Sequence, residues 1–248
     1  MDKSSIGGIT LAIGGITLGL MLEGGRVAQI LQPTAAIIVF GGTIGAVMLQ
    51  FPMPVIVQAG KQLRTVFQER STNSLQTVQQ LVSYAHQARR AGIVSLDDEL
   101  ESIGDLFLKR SLTLAVDGTE PEELRKMMES DLSARAEQEE LVSQVFESAG
   151  GFAPTIGIIG AVLGLIQVMQ HLASMEEVGR GIAVAFVATI YGLVFANILA
   201  LPASTKLKSI HKGEMSRLAL MMEGVLAIQQ GQNPNMLKDK LSGLVEHH

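Results

Sequence analysis

The polar groups that could do chemistry in this chain lie inside long apolar runs. Thr155 follows Pro154 in an uncharged stretch from Ser148 to Met175 (28 residues), and Thr189 and Tyr191 lie in a second from Gly181 to Thr205 (25 residues). Neither stretch holds Asp, Glu, Lys or Arg, so its chemistry is that of hydroxyls and backbone carbonyls. Ion-conducting membrane proteins usually carry an ionisable group at depth, because an ion that leaves its hydration shell must meet charge or fixed dipoles. A path along these runs would therefore need a carboxylate from another subunit. The ordinary reading of a membrane threonine, a hydroxyl returned to its own helix, stands beside the functional one. Pro154 has no amide hydrogen and so frees a carbonyl that can bend the helix or coordinate a passing species. Ala188, Gly192, Ala196 and Ala200 recur every four residues, a strip suited to a closely packed neighbour. His171 reads as an interfacial residue.

The elements that position these groups follow from length. About 20 apolar helical residues cross a bilayer core of about 30 Å, and only Glu176, Glu177 and Arg180 carry charge between the two runs. They form a helical hairpin in lipid. A second hairpin precedes it. Residues 4 to 22 are uncharged, with no small-residue cleavage site after them to suggest a signal peptide, and Gly15 and Gly19 have small-xxx-small spacing. EGGR (23–26) turns the chain, and no charge appears from Val27 to Gly60. Pro33 marks the start of a span there, and Pro52 and Pro54 mark its end or a kink. The glycines Gly41, Gly42 and Gly45 read chiefly as helix packing.

Residues 61–147 change character, with 10 Lys and Arg and 16 Asp and Glu. Leu75, Val78, Leu81, Val82 and Ala85 have helical amphipathic spacing. Gly92 ends that helix, Ser95 is expected to cap a helix over LDDELESIGDLFLKR, and Asp117-Gly118 turns the chain into a helix that opens at Pro121 and can run unbroken into the third span. After Pro202 an amphipathic helix carries Leu207, Ile210, Leu218, Met221 and Met222 until GQNP (231–234) breaks it. The remainder is expected to be a short, loosely held helix. The chain ends VEHH, as a truncated tag would, and His247 and His248 are given no functional weight.

The fold class expected is all-α: an integral membrane protein with four transmembrane helices and a helical cytoplasmic domain. Its segments are a hairpin over 1–60 (spans 4–22 and 33–52), a cytoplasmic domain over 61–147, a hairpin over 148–205 (spans 152–174 and 181–202) and a helical tail over 206–248. The hydrophobic fraction of 47% and the charged fraction of 17% agree with spans joined to an aqueous part. Of 19 Lys and Arg, only Arg26 and Arg180 lie in the short hairpin loops, which places both termini inside the cell. With no cysteine, thiolate metal sites and disulfides are excluded. No metal-spaced cluster, nucleophile elbow or P-loop suggests an enzyme, and no cofactor or nucleic acid is expected.

FAPTIGIIGAVLGLI (152–166) and GIAVAFVATIYGLVFANILALP (181–202) resemble the third- and fourth-span motifs of the MotA/PomA subunits of the bacterial flagellar stator, with ExbB and TolQ as distant relatives. The resemblance covers nearly the whole chain, and its ATxYG with a terminal proline is its most specific part. It implies a ring of five chains around two copies of a MotB-type single-span partner that carries the essential aspartate, in the bacterial inner membrane. It also implies that ion flow through the A/B interface drives torque on the rotor protein FliG. By the same resemblance Pro154 and Pro202 are the conformational-coupling prolines, Thr189 faces the partner's aspartate, Thr155 shares that polar girdle, and Tyr191 belongs to the same ion-path motif. Ala161 stands where sodium-driven members have a threonine, which favours protons over the alternative, sodium. ARRAGIVSLDDE (88–99) resembles the rotor-engaging stretch and assigns Arg89 and Asp97, with Arg90 and Asp98 as adjacent candidates. An ExbB/TolQ-type energiser and a scaffold without an ion path are the rival readings.

Overall fold

A computed structural model describes residues 2–68 and 74–246, so His247 and His248 lie outside the described residues. Among them all regular structure is helical. Nine helices follow in order: α1 (Lys3–Leu22), α2 (Pro33–Gln50), α3 (Met53–Val66), α4 (Ser74–Ala91), α5 (Asp97–Leu100), α6 (Leu106–Val116), α7 (Pro121–Gln170), α8 (Met175–Gln229) and α9 (Pro234–Glu246). Four of them, α1, α2, α7 and α8, are long and apolar enough to cross a membrane. The chain divides into two units, Met1–Arg70 with Glu140–Lys208, and Ser71–Glu139 with Ser209–His248.

In the first unit, Asp2 caps α1 by accepting from the Ser4 amide (3.1 Å), and Gly24, at φ 81°, reverses the chain after it. Pro33 opens α2, where its missing amide hydrogen costs nothing. This helix widens into a π-turn over Ile37–Gly41, and the buried Thr43 hydroxyl donates to the Val39 carbonyl in it (2.6 Å). At Phe51 the backbone is extended and Pro52 caps α3, so the prolines there end one helix and begin another. Gly15 and Gly19 of α1 meet nothing within 4 Å of where a Cβ would stand, so their small faces are unoccupied by the chain itself. Val66 and Leu63 of α3 pack with Ala203 and Leu207 of α8.

The two long helices pack by close backbone approach. A Cβ added at Gly164 would lie 2.8 Å from the Gly181 carbonyl oxygen, and one at Gly192 would run into that of Ala153. With lipid on the outside no hydrophobic gain drives helices together, and small residues that let backbones touch do so instead. The helix that begins at Pro121 runs unbroken to Gln170. Span four carries a second π-turn, Phe195–Ala200, just before Pro202.

The second unit has a side-chain core. Leu81, Leu96, Leu108, Leu112, Leu124, Leu218 and Met221 are almost wholly buried in it. Val78, Leu81 and Ala85 face that core as their spacing predicts, whereas Leu75 is exposed. Ser95 does not cap a helix. Its hydroxyl donates to the Gly92 carbonyl (2.7 Å) inside a 3₁₀ turn, Ile93–Leu96, and the expected single helix breaks after Leu100. Asp105 is the cap in its place, accepting from the amides of Phe107 (2.9 Å) and Leu108 (3.1 Å). The C-terminal helix is also held more firmly than expected. Leu237 and Leu241 of α9 are fully buried, α9 packs on α4, and Lys240 pairs with Glu223 (2.7 Å).

Candidate functional site

The expected ion-path residues fall into three surroundings. Pro154 and Thr189 lie at the α7–α8 contact, with Thr155 and Ala161 on the same stretch of α7. Gly192 lies against Ala153 and Pro154, Gly157 against Ala188 and Thr189, and Gly160 against Ala188. These contacts set Thr189 against Gly157, two residues after Thr155 in α7 and four before Ala161. Both hydroxyls return to their own helices, Thr155 to the Phe152 carbonyl (2.8 Å) and Thr189 to that of Ala185 (3.2 Å). A hydroxyl that donates inward keeps its oxygen lone pairs free to accept from outside. Thr155 is exposed, at helical spacing with the exposed Ile159, Val162 and Ile166 on α7, and Thr189 is half-buried on α8.

Tyr191 has a different position. Its hydroxyl donates to the Ile30 carbonyl (2.5 Å) and accepts from the Gln32 amide (3.2 Å), which ties span four to the turn before span two. Its ring stacks on Phe40, which also meets Phe195 edge-on at 5.5 Å. Phe40 and Phe195 lie in the two π-turns, so the widened parts of spans two and four touch each other. Phe40 carries no sequence signal beyond being an aromatic in an apolar run. A π-turn needs one more residue than an α-turn and concentrates at functional sites. No periodicity announces it.

The strip Ala188, Gly192, Ala196 and Ala200 is not a surface for another chain. All four are buried within this chain, because α7 occupies that face. Pro202, by contrast, is exposed and lines a cleft with Asn197, an amide that the spacing arguments passed over and that donates to the Leu193 carbonyl (2.9 Å).

In the second unit, Arg89 and Arg90 end α4, and Asp97 and Asp98 open α5. All four are exposed, and none has an ion-pair partner among the described residues. The turn between them is fixed from beneath. Gly92 takes φ 85°, a conformation that a side chain would strain, the Gln87 amide donates to the Ser95 carbonyl (2.9 Å), and Leu96 and Leu100 are buried. Some other charges of this unit are paired, among them Arg217 with Asp105 (2.7 Å) and Glu214 (2.8 Å), and Arg125 with Glu223 (3.1 Å). Burial opposes ionisation of Asp105, but the Leu108 amide, Arg217 and the Phe107 amide together hold its carboxyl below the usual value.

Residues 99–219 match the MotA/TolQ/ExbB proton channel family, and residues 6–92 match the motility protein A N-terminal region. Motility protein A of Bacillus subtilis (strain 168) is 36% identical over 97% of this chain and 90% of its own. The chemotaxis protein PomA of Vibrio alginolyticus is 30% identical, over 97% and 94%. Among solved structures, the C. jejuni MotAB structure superposes with a TM-score of 0.92 at 30% identity, covering 98% of this chain and 96% of the other. The flagellar MotAB stator complex from Bacillus subtilis does so with 0.88 at 34%, covering 96% and 94%.

Proposed function

We infer from a chain that belongs to the motility protein A family that it is a stator subunit of a bacterial flagellar motor, which forms with a MotB-type partner an ion channel that turns ion-motive force into torque. The observation that carries this reading is the near full-length likeness to two MotAB structures, in a chain whose own apolar runs hold no carboxylate. The missing carboxylate is the partner's aspartate. An energiser of the ExbB/TolQ kind is not favoured, because the first hairpin matches the motility protein A N-terminal region.

The mechanism proposed follows from the hydroxyl geometry. Thr189 presents an acceptor oxygen towards the partner's carboxyl group, and Thr155 on α7 offers a second one. When the carboxylate takes up a proton it becomes a donor that either threonine can accept from, and the desolvation cost of holding it at depth falls. Each charge that crosses 100 mV supplies about 2.3 kcal/mol. Ala161 adds no oxygen to this girdle, which supports protons as the coupling ion, with sodium the alternative. Pro154 is clamped against Gly192, while Pro202 follows a widened turn and has room, which supports Pro202 as the place where span four bends. Tyr191 fits best as a tether that holds span four while that bend occurs.

The unpaired Arg89, Arg90, Asp97 and Asp98 are proposed to engage FliG, since free charges on a rigid turn suit fast, reversible contact. The assembly proposed is five chains around two partners in the inner membrane, surrounded by lipid. Both termini are placed in the cytoplasm, which the distribution of Lys and Arg supports. Co-expression with a MotB-type partner in a stator-deleted motile strain tests this reading. Restored swimming is the expected result, and an assembled complex that leaves cells immotile would overturn it.

A further inference from the structure

The turn of α8 that follows Pro202 is held on three sides. Ala203 and Leu207 are buried with Val66 of α3, and the buried Ser204 hydroxyl donates to the Ser143 carbonyl of α7 (3.0 Å). Lys208 pairs with Glu147, also on α7 (2.6 Å). The third side is the start of α1, where the Lys206 ammonium binds the Asp2 carboxylate and the Ser5 hydroxyl. Asp2 is itself fixed. Its carboxylate caps α1 through the Ser4 amide and accepts from the Ser5 hydroxyl (2.7 Å), and its own amide donates to the Phe67 carbonyl just past α3 (3.0 Å).

Span four thus has a hold on each side of Pro202. Tyr191 ties it to Ile30 and Gln32 before the proline, and Lys206 ties it to Asp2 after. Between the two holds lie the π-turn Phe195–Ala200 and the exposed Asn197, Leu201 and Pro202. A segment between two fixed points must take up any change of shape itself. Lys206 lies about 25 Å along the helix from Thr189, too far to touch the threonine girdle, so its effect on the reaction passes through Pro202. We propose that Asp2 and Lys206 are positioning residues for torque generation: paired, they anchor the turn after Pro202, so that movement at the girdle becomes a bend between Phe195 and Pro202 and is not lost as sliding of α8. The anchor's consequence rests on the stator reading; the anchor itself does not. The side chains of Lys206 and Asp2 are only 30% and 18% exposed. Removing one charge therefore strands the other where water reaches poorly, and removing both together does not.

Single-motor rotation during stepwise recovery of stators tests this, in a stator-deleted strain that expresses the chain with its MotB-type partner. The number of speed steps counts assembled stators, and the height of a step gives the torque of one. Asp2→Asn with Lys206→Met strands no charge and keeps a capping side chain at position 2. It is expected to give the full number of steps with most of their height lost, whereas Lys206→Arg, which preserves the pair, should keep the height. Full height in the double variant, or fewer steps of full height, would make the pair a stability contact only and overturn the proposal. Hydrogen–deuterium exchange of the purified complex reads the anchor without rotation. Amides of residues 203–208 should be protected in the unmodified chain and in Lys206→Arg, and should exchange faster in the double variant; equal protection in all three would overturn the anchor. An unmodified chain that drives no rotation while exchange follows this pattern counts against the stator reading alone.

Discussion

The α7–α8 hairpin and the charged second unit are held together by opposite means. In the hairpin, backbones touch at Gly164, Gly181 and Gly192, and the side chains point outward. In the second unit leucines fill the space between helices, and caps and ion pairs fix the ends. The solvent explains the difference. Lipid gives no reward for burying leucine against leucine, so contact distance decides; water does, so side-chain burial decides. A hairpin built on contact distance therefore has little tolerance for added volume at its crossing, whereas a leucine core can absorb the loss of one polar contact.

The sharpest way to break this contrast is Gly192→Val. Its Cβ would meet the Ala153 carbonyl oxygen and the Pro154 Cα, both backbone atoms that cannot swing aside. A cost on the order of 3 kcal/mol is expected, read as loss of the assembled complex on size-exclusion chromatography together with loss of swimming. Thr189→Ala removes an acceptor but no packing volume that the crossing needs. It should abolish swimming with assembly unchanged, and Thr189→Ser should restore part of it, as swimming speed and pull-down of the partner would record.

Effects in the second unit should be smaller. Asp105→Ala removes a helix cap and the Arg217 pair, at a cost of about 2 kcal/mol, measured as a lower thermal midpoint of the complex. Because the folded-state value of Asp105 lies below its ordinary 3.8, its contribution is full above that pH and is lost as pH falls through the folded value. The difference between variant and parent should therefore shrink only in acid below about pH 4. Smallest of all on stability is Arg89→Glu with Arg90→Glu, exposed and unpaired, expected within about 0.5 kcal/mol. Torque in single-motor rotation should fall nonetheless. Unchanged torque would remove these residues from the rotor contact.

The sequence reveals most where chemistry follows composition. Uncharged runs of spanning length, Pro33 and Pro121 as helix starts, and Gly92 as a stop all follow from local rules that tertiary contacts leave in force. What it hides depends on partners distant in the chain. The Ala188 to Ala200 strip is legible as a packing face, but spacing cannot say whether α7 or another chain fills it. Ser95 and Asp105 are both acceptable caps, and the choice between them follows from burial of Leu96, Leu100 and Ile103, which pulls the intervening turn onto the core. The two π-turns leave no periodic trace, and Tyr191 reads as a motif residue although its hydroxyl serves a turn some 160 positions earlier, at Ile30 and Gln32.

The most direct measurement is the rotation speed of single motors driven by this chain and its partner while the proton and sodium gradients are collapsed one at a time. Rotation that stops with the proton gradient and persists without sodium is the expected result for a girdle with Ala161 in place of a further oxygen. Rotation that stops only when sodium is removed would contradict it.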